Sequence, residues 1–269
     1  MLRHLKINMK HFIWSMDPIA FSFGSVRVFW YGILFAIAIL SGLEFMKWVY
    51  KRERKDVESL DTLFLYIVIG IVLGARLGHC FFYEPDFYLA HPMKIFAIWE
   101  GGLASHGGGL GVIIALYLYV KKYHLNYLWL LDRVAIPTAL FGFFVRMGNF
   151  MNSEIVGTPS DFPLAIVFTR VDALPRHPAQ LYEAFSYLAI FIALTLLYRA
   201  KAKKLHNGFL FGLFLVLIFS VRFLVEFVKT KQADYDTAFL HMSTGQALSI
   251  PFLILGIFLM FWSFKKAQV

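Results

Sequence analysis

Seven long apolar runs, separated by short polar segments, make up most of the chain. Each run is close to the ~20 residues that an α-helix needs to cross the hydrocarbon core of a bilayer. The pattern predicts an all-α integral membrane protein, a bundle of about seven transmembrane helices that forms a single polytopic membrane domain over residues 1–269. The predicted spans lie near residues 28–48, 62–82, 103–120, 127–147, 180–198, 208–228 and 245–264, and the longest outer loop covers 152–179.

Composition agrees with this pattern. Apolar residues make up 59% of the 269 residues, charged residues only 16%, and the mean hydropathy is +0.65, whereas soluble domains are about 45–50% apolar. The segment before residue 28 is polar and is interrupted at Asp17 and Pro18. It therefore lacks the apolar core of a signal peptide, and we expect it to be retained.

Lys and Arg are concentrated in the loops that follow the first, third, fifth and seventh predicted spans. The positive-inside rule then predicts an outside N-terminus and a cytoplasmic C-terminus. The formal net charge of +9 is attributed to this asymmetry and to contact with anionic membrane lipids. Because no aromatic platforms are interleaved with the charges, we do not expect nucleic-acid binding.

The end of the fourth predicted span carries an arginine, two amides and a carboxylate: Arg146, Asn149, Asn152 and Glu154. An unpaired arginine at the centre of a membrane helix costs roughly 2.5–3.5 kcal/mol, so a partner or a wet cavity is expected. If the helix continues at about 100° per residue, Arg146, Asn149 and Ser153 share one face. Such a face suits a phosphate. The alternative is a buried structural pair of Arg146 with Glu154.

Two further spans contain arginines. In the sixth span, Arg222 lies one turn before Glu226, and the two side chains can neutralise each other. In the second span, Arg76 is flanked by glycines within residues 74–78. For both Arg222 and Arg76, a purely structural role is the alternative. Three arginines in separate spans nevertheless share a need for counter-charge that a lipid phosphate would supply.

His106 begins a glycine-rich run. Its imidazole can act as a general base toward a thiol, whose ordinary pKa is about 8.5. The alternative is that Gly107 and Gly111 form a helix-packing motif and that His106 is an interhelical hydrogen-bonding residue. No metal is predicted, because the histidines lack a metal-ligand spacing; those considered are His79, His91, His106, His177 and His241.

The outer loop has an unusual apolar centre at residues 162–168. We expect this segment to lie on the bilayer or to cover the site. The loop leads into His177 and Gln180 at the start of the fifth span, next to Pro178. These polar groups are candidates for substrate binding, and helix capping is an equally open interpretation.

Together these motifs resemble the prolipoprotein diacylglyceryl transferase family over nearly the whole chain. The family places a diacylglyceryl group on the lipobox cysteine of bacterial lipoprotein precursors. The resemblance is carried by residues 30–32, 74–78, 101–108, 146–157, 177–183 and 222–226.

The resemblance implies transfer from phosphatidylglycerol to the cysteine thiol of a prolipoprotein signal peptide, at the periplasmic side of the bacterial inner membrane. The products are a thioether and glycerol phosphate, and no cofactor is needed. By the same resemblance Arg146 binds the headgroup phosphate, Arg222 neutralises the departing phosphate and His106 is the candidate thiol base. Substrate contacts are further expected from Tyr31, Arg76, Asn149, Asn152, Glu154, Gly157, His177, Gln180 and Glu226. The alternative function is a membrane transporter or binding protein for an anionic lipid.

The chain departs from the family pattern at four positions. Val145 and Ser153 stand where relatives have glycine, Ile218 where they often have tyrosine, and Lys229 where arginine is common. The change at 218 removes a hydroxyl, so a tyrosine-dependent step does not carry over. The change at 229 keeps the charge but loses the planar guanidinium.

Overall fold

The computed structural model describes residues 11–201, 204–230 and 242–265. Within these ranges most of the chain is helical. The helices are α1 (Trp30–Arg52), α2 (Ser59–Phe82), α3 (Pro85–Ala90), α4 (Ser105–Lys122), α5 (Tyr127–Met151), α6 (Ala179–Lys201), α7 (Phe209–Val225) and α8 (Thr244–Lys265). Short 3-10 helices cover Pro92–Phe96, Ile98–Glu100 and Glu226–Val228.

The long helices coincide with the apolar runs of the sequence. Six of them are long and apolar enough to cross a membrane, namely α1, α2, α5, α6, α8 and α7 together with the 3-10 turn that follows it. Large apolar side chains such as Leu73, Ile254 and Phe261 are exposed on these helices, as a lipid-facing surface requires. The chain is therefore a helical, multi-pass membrane protein. The 18-residue α4 is not among the six, so a seventh span stays a prediction.

The all-α expectation missed five short strands. A hairpin pairs β2 (Ile19–Phe23) with β3 (Val26–Phe29) just before α1. A second sheet joins β1 (Phe12–Trp14) in parallel to β4 (Ile166–Phe168), which pairs with β5 (Pro175–Arg176). Four of them lie in segments where the sequence predicted no regular structure, and β3 overlaps the start of the first predicted span at Val28 and Phe29.

The apolar centre of the outer loop is partly buried in a small core, which argues against a position on the bilayer surface, while a role in covering the site stays a prediction. Ile166 and Phe168 are buried in a small core with Phe150 and Val156, and Trp14 packs against that core. The indole of Trp14 also donates to the carbonyl of Phe150 at 3.1 Å. The buried part of this segment thus holds the loop together and does not lie on the bilayer surface, although Phe162 and Leu164 are exposed.

The chain folds into two compact units, one up to Gly42 and from Asp132 onward, the other Leu43–Leu131. In the second unit α2 packs on α4 through facing glycines. A Cβ added to Gly70 would lie 2.6 Å from the carbonyl oxygen of Gly111, and one added to Gly78 would lie 2.8 Å from the α-carbon of Gly107. The glycine run after His106 is thus a helix-packing motif, as one of the two interpretations held.

Candidate functional site

Three helix ends in the first unit bring charged side chains together: the end of α5, the start of α6 and the turn after α7. Glu183 of α6 is fully buried between two cations. Its Oε1 accepts a hydrogen bond from Lys229 Nζ at 2.7 Å, and its Oε2 lies 2.7 Å from Arg146 Nε. The second contact is an ion pair in which the N–H is not aligned with the oxygen.

The polar contacts continue in both directions from Glu183. Lys229 Nζ also lies 3.4 Å from Glu226 Oε2, and Arg146 Nη1 donates to Asn149 Oδ1 at 3.2 Å. Glu154 accepts hydrogen bonds from the amides of Asn149 and Asn152 at 3.2 and 3.1 Å. We call these residues the charge network: Arg146, Asn149, Asn152, Glu154, Glu183, Glu226 and Lys229. It runs from the buried Glu183 to the exposed Glu154.

The backbone after α5 explains how Glu154 reaches Asn149. The helix ends at Met151, and Ser153 and Ile155 then adopt φ of 56° and 57°, a left-handed conformation that is costly for a β-branched residue. The turn is closed by a hydrogen bond from Glu154 N to Asn149 O at 2.9 Å. The predicted shared face therefore holds for Arg146 and Asn149 but not for Ser153.

Two ion pairs that the sequence left open as alternatives are not formed among the described residues. Arg146 pairs with Glu183, and its link to Glu154 passes through Asn149. Glu226 pairs with Lys229 and not with Arg222. The Nε of Arg222 is buried without a hydrogen-bond partner, and no described carboxylate lies within ion-pair distance of its guanidinium. Arg222 is therefore a cation without a counter-charge within the described ranges.

Gly157 is enclosed by backbone on two sides. Its N–H donates to the carbonyl of His177 at 2.8 Å, and the neighbouring Thr158 N–H donates to Val228 O at 2.8 Å. A Cβ at position 157 would lie 2.6 Å from both carbonyl oxygens. The glycine is thus required by chain packing, which joins the outer loop to the end of α7.

Three other predicted contacts surround the network. Gln180 is fully buried, and its Nε2 donates to the carbonyl of Glu154 at 3.1 Å. His177 Nδ1 lies 3.1 Å from the Tyr182 hydroxyl. The ring of Tyr31 packs on Gly148, where an added Cβ would approach Tyr31 Cδ2 to 2.6 Å. Tyr31 therefore lies beside the α5 turn that carries Arg146 and Asn149.

Arg176 ties the outer loop to the segment that follows α7. Its guanidinium donates to the carboxylate of Asp172, with Nε 3.1 Å from each oxygen, and to the carbonyl of Gly157 at 3.1 Å. It also donates to the hydroxyl of Thr230, which follows α7, at 3.4 Å. The hydrogen bonds from Arg176 hold the pKa of the Asp172 carboxyl below its usual value. Asp172 therefore stays charged at neutral pH, and its ion pair with Arg176 is kept.

The second unit contains Arg76 and His106. Arg76 is 2% exposed, and its donors go to backbone carbonyls of Lys94, Ile95, Gly101 and Gly102. Its guanidinium also lies 5.0 Å from the ring centre of Tyr88. This geometry favours a structural role over the predicted substrate contact, which stays a prediction.

His106 lies exposed in the first turn of α4, and its imidazole makes no hydrogen bond to another described residue. The structure thus offers no support for an interhelical hydrogen bond, and its role as a base stays a prediction. Among the described residues no three His, Cys, Asp or Glu side chains are grouped to hold a metal ion. His241 lies outside the described ranges.

Sequence reasoning did not single out Glu183 as a site residue. It was visible only as a member of the 177–183 motif, although a carboxylate within an apolar run is itself a signal of function. Its two partners come from other elements, α5 and the segment after α7, and no local spacing reveals such a pairing.

These features define a multi-pass helical membrane protein with a buried charge network at three helix ends of one unit. Residues 18–262 match the family described as prolipoprotein diacylglyceryl transferase, and the chain belongs to that family. It is 54% identical to the phosphatidylglycerol–prolipoprotein diacylglyceryl transferase of Tolumonas auensis, over 94% of this chain and 98% of that protein.

Two proteins of the same name show comparable similarity. The one from Chloroherpeton thalassium is 48% identical over 96% of this chain and 97% of its own length. The one from Bacteroides fragilis is 44% identical over 95% and 96%. The similarity therefore extends over nearly the full length of each of these proteins.

Proposed function

We propose that this protein transfers the diacylglyceryl group of phosphatidylglycerol to the lipobox cysteine of prolipoproteins. Relatives that are named for this reaction match the chain over nearly their whole length. The observation in this chain that carries the proposal is Arg222, a partly buried cation without a described counter-charge. Arg222 and Arg146 both lie within electrostatic range of Tyr187 in α6, which supports placing them in the same region. An anionic headgroup phosphate supplies the missing charge.

The reaction is a displacement at carbon. The cysteine sulfur attacks the glyceryl carbon that is bonded to a phosphate oxygen, and a C–S bond forms as that C–O bond breaks. The bonding electron pair leaves with the oxygen, which gives glycerol phosphate, while the thiol proton passes to a base. Negative charge grows on the phosphate, so fixed cations beside it stabilise the transition state.

The residues have distinct proposed roles in this step. Arg146 binds the headgroup phosphate, positioned by Asn149 and by its ion pair with Glu183. Arg222 neutralises the departing phosphate, and His106 accepts the thiol proton. Tyr31, Asn152, Glu154, Gly157, His177, Gln180 and Glu226 shape the pocket, and Arg76 is retained as a candidate contact.

We further propose seven spans with α4 as the third, an outside N-terminus and a cytoplasmic C-terminus. The Lys and Arg distribution supports this orientation. The end of α5, the start of α6 and the end of α7 then all face the periplasm, so the site opens at the outer face of the bacterial inner membrane.

The test is a transfer reaction with purified protein, phosphatidylglycerol and a synthetic lipobox peptide, read by mass spectrometry. We expect a diacylglyceryl adduct on the cysteine that is lost in Arg146→Ala. The matched control is Arg170→Ala, which removes an exposed arginine of the same unit outside the network. A folded protein that binds the lipid but yields no adduct would indicate a transporter or a lipid-binding protein.

A further inference from the structure

Glu183 has an electrostatic role that follows from its two contacts. It is fully buried, and it lies 2.7 Å from Lys229 Nζ on one side and 2.7 Å from Arg146 Nε on the other. The side chains of Lys229 and Arg146 are themselves only 8% and 14% exposed. In such surroundings each charge acts strongly on a ligand, because water screens it poorly.

The inner part of the charge network, which leaves out the exposed Glu154, has balanced charges. Arg146 and Lys229 alternate with Glu183 and Glu226, so this set is neutral. Arg222, which like Arg146 and Glu183 lies within electrostatic range of Tyr187, adds one positive charge, and its buried Nε has no described hydrogen-bond partner. The inner site therefore carries a net charge of about +1 when each of these groups has its usual charge state.

The substrate and the product differ in charge. The phosphodiester of phosphatidylglycerol carries one negative charge, which matches an inner site of about +1. Released glycerol phosphate is a monoester with a second pKa of about 6, so it carries nearly two negative charges at neutral pH. A site of +1 therefore leaves part of the product charge uncompensated, which favours its departure.

We propose that Glu183 is an internal counter-anion, a positioning residue that matches the site to a singly charged lipid phosphate and promotes release of the doubly charged product. The proposal rests on the proposed transferase function. Glu183 acts through Arg146 and Lys229 and does not touch the reacting atoms. Without it the inner site would carry about +2, the charge that suits the product best.

The test uses Glu183→Gln, which keeps the shape of the side chain and removes its charge. The transfer assay is run with added glycerol 1-phosphate to obtain its inhibition constant, together with kcat and KM for phosphatidylglycerol. We expect the inhibition constant to fall by roughly tenfold or more and kcat to fall with it, because one buried charge acts at short range. KM is not expected to rise. Asp161→Asn, an exposed carboxylate of the same unit, is the control and should leave the inhibition constant unchanged.

A second variant should change the inhibition constant in the opposite direction. Lys229→Gln lowers the inner charge by one, so the inhibition constant should rise in it, whereas general damage to the fold would weaken product binding in both variants. If Glu183→Gln does not fold, the Lys229→Gln result decides alone. Unchanged or weaker product inhibition in Glu183→Gln, or unchanged inhibition in Lys229→Gln, overturns the proposal. A wild-type protein without any adduct overturns the transferase function itself.

Discussion

Arg146 and Arg76 are both arginines in apolar helices, yet their surroundings differ in kind. Arg76 donates to four backbone carbonyls, those of Lys94, Ile95, Gly101 and Gly102, and makes no described ion pair. Arg146 instead meets a buried carboxylate and a side-chain amide. Carbonyl partners fix a loop in one place. Charged side-chain partners create a local electrostatic field that acts on a bound ligand.

The contrast shows how the role of a buried arginine can be inferred. A guanidinium whose donors are occupied by backbone has few left for a substrate, because it carries five N–H groups in one plane. A guanidinium held along one edge by a carboxylate keeps the other edge oriented toward a ligand. This criterion favours Arg146 as a site residue and favours a scaffold role for Arg76.

The largest expected effect comes from changing the geometry of Arg146 while keeping its charge. Arg146→Lys loses the planar donor set that reaches both Glu183 and Asn149. We expect turnover to fall on the order of 10²–10³-fold, as when an enzyme loses one oriented donor to a developing charge. Mass spectrometric rates of adduct formation measure it, and the melting temperature should change little. Near-normal turnover would mean that charge alone suffices at this position.

The corresponding change in the second unit, Arg76→Ala, should lower the stability of the fold more than it lowers the transfer rate. Arg76→Ala leaves four carbonyls of the segment between α3 and α4 without their donor. We expect a loss of about 2–3 kcal/mol, because buried unpaired polar groups are costly, and faster proteolysis within residues 84–104. Thermal unfolding in detergent tests the first effect and limited digestion the second. A variant as stable as the parent but inactive would make Arg76 a substrate contact after all.

Asp132 extends the comparison to a carboxylate. It is 1% exposed, and its two oxygens accept hydrogen bonds from the backbone N–H groups of Gly208 and Phe211 at 2.8 Å each. It thus caps the start of α7 from a neighbouring helix. It also accepts a longer contact from Arg133 Nη1 at 3.5 Å. Because its short hydrogen bonds come from backbone, as those of Arg76 go to backbone, we assign it to the scaffold.

Asp132→Ala should lower stability by about 1–2 kcal/mol, as for the loss of a helix cap. The rate per folded molecule should be retained, since the residue lies outside the charge network. Asp61→Ala, at an exposed position in the first turn of α2, is the control and should be neutral. A selective loss of turnover without loss of stability would argue against the scaffold role.

Local patterns predicted the helices and part of the site, while distant pairings were missed. Arg146 and Asn149 could be placed together because both lie on one helix, three residues apart. The pairing of residues 12–14 with 166–168 joins segments far apart in the chain, and hydrophobic periodicity carries no information about such partners. The contact of Glu183 with Lys229 is likewise non-local.

The turn at Ser153 is a second feature that the sequence pattern did not predict, here at a single residue. The shared face of Arg146, Asn149 and Ser153 depended on a helix that continues past residue 147, whereas Ser153 takes φ of 56° and its buried hydroxyl has no described hydrogen-bond partner. The family resemblance implies a glycine at this position, and glycine is the residue for which this conformation costs least. The departure from the family pattern thus coincides with local backbone strain.

The smallest expected effect is a gain of stability at this position. Ser153→Gly relieves the left-handed strain and removes a buried unpaired hydroxyl, and it gives up part of that gain through the greater freedom of glycine in the unfolded chain. We expect a net gain of about 1 kcal/mol, measured as a higher unfolding temperature. Gly157→Ala in the same loop should act in the opposite direction, because its Cβ would meet two carbonyl oxygens at 2.6 Å. If Ser153→Gly lowers stability, the hydroxyl has a partner that outweighs the strain, and the turn is held by more than its backbone.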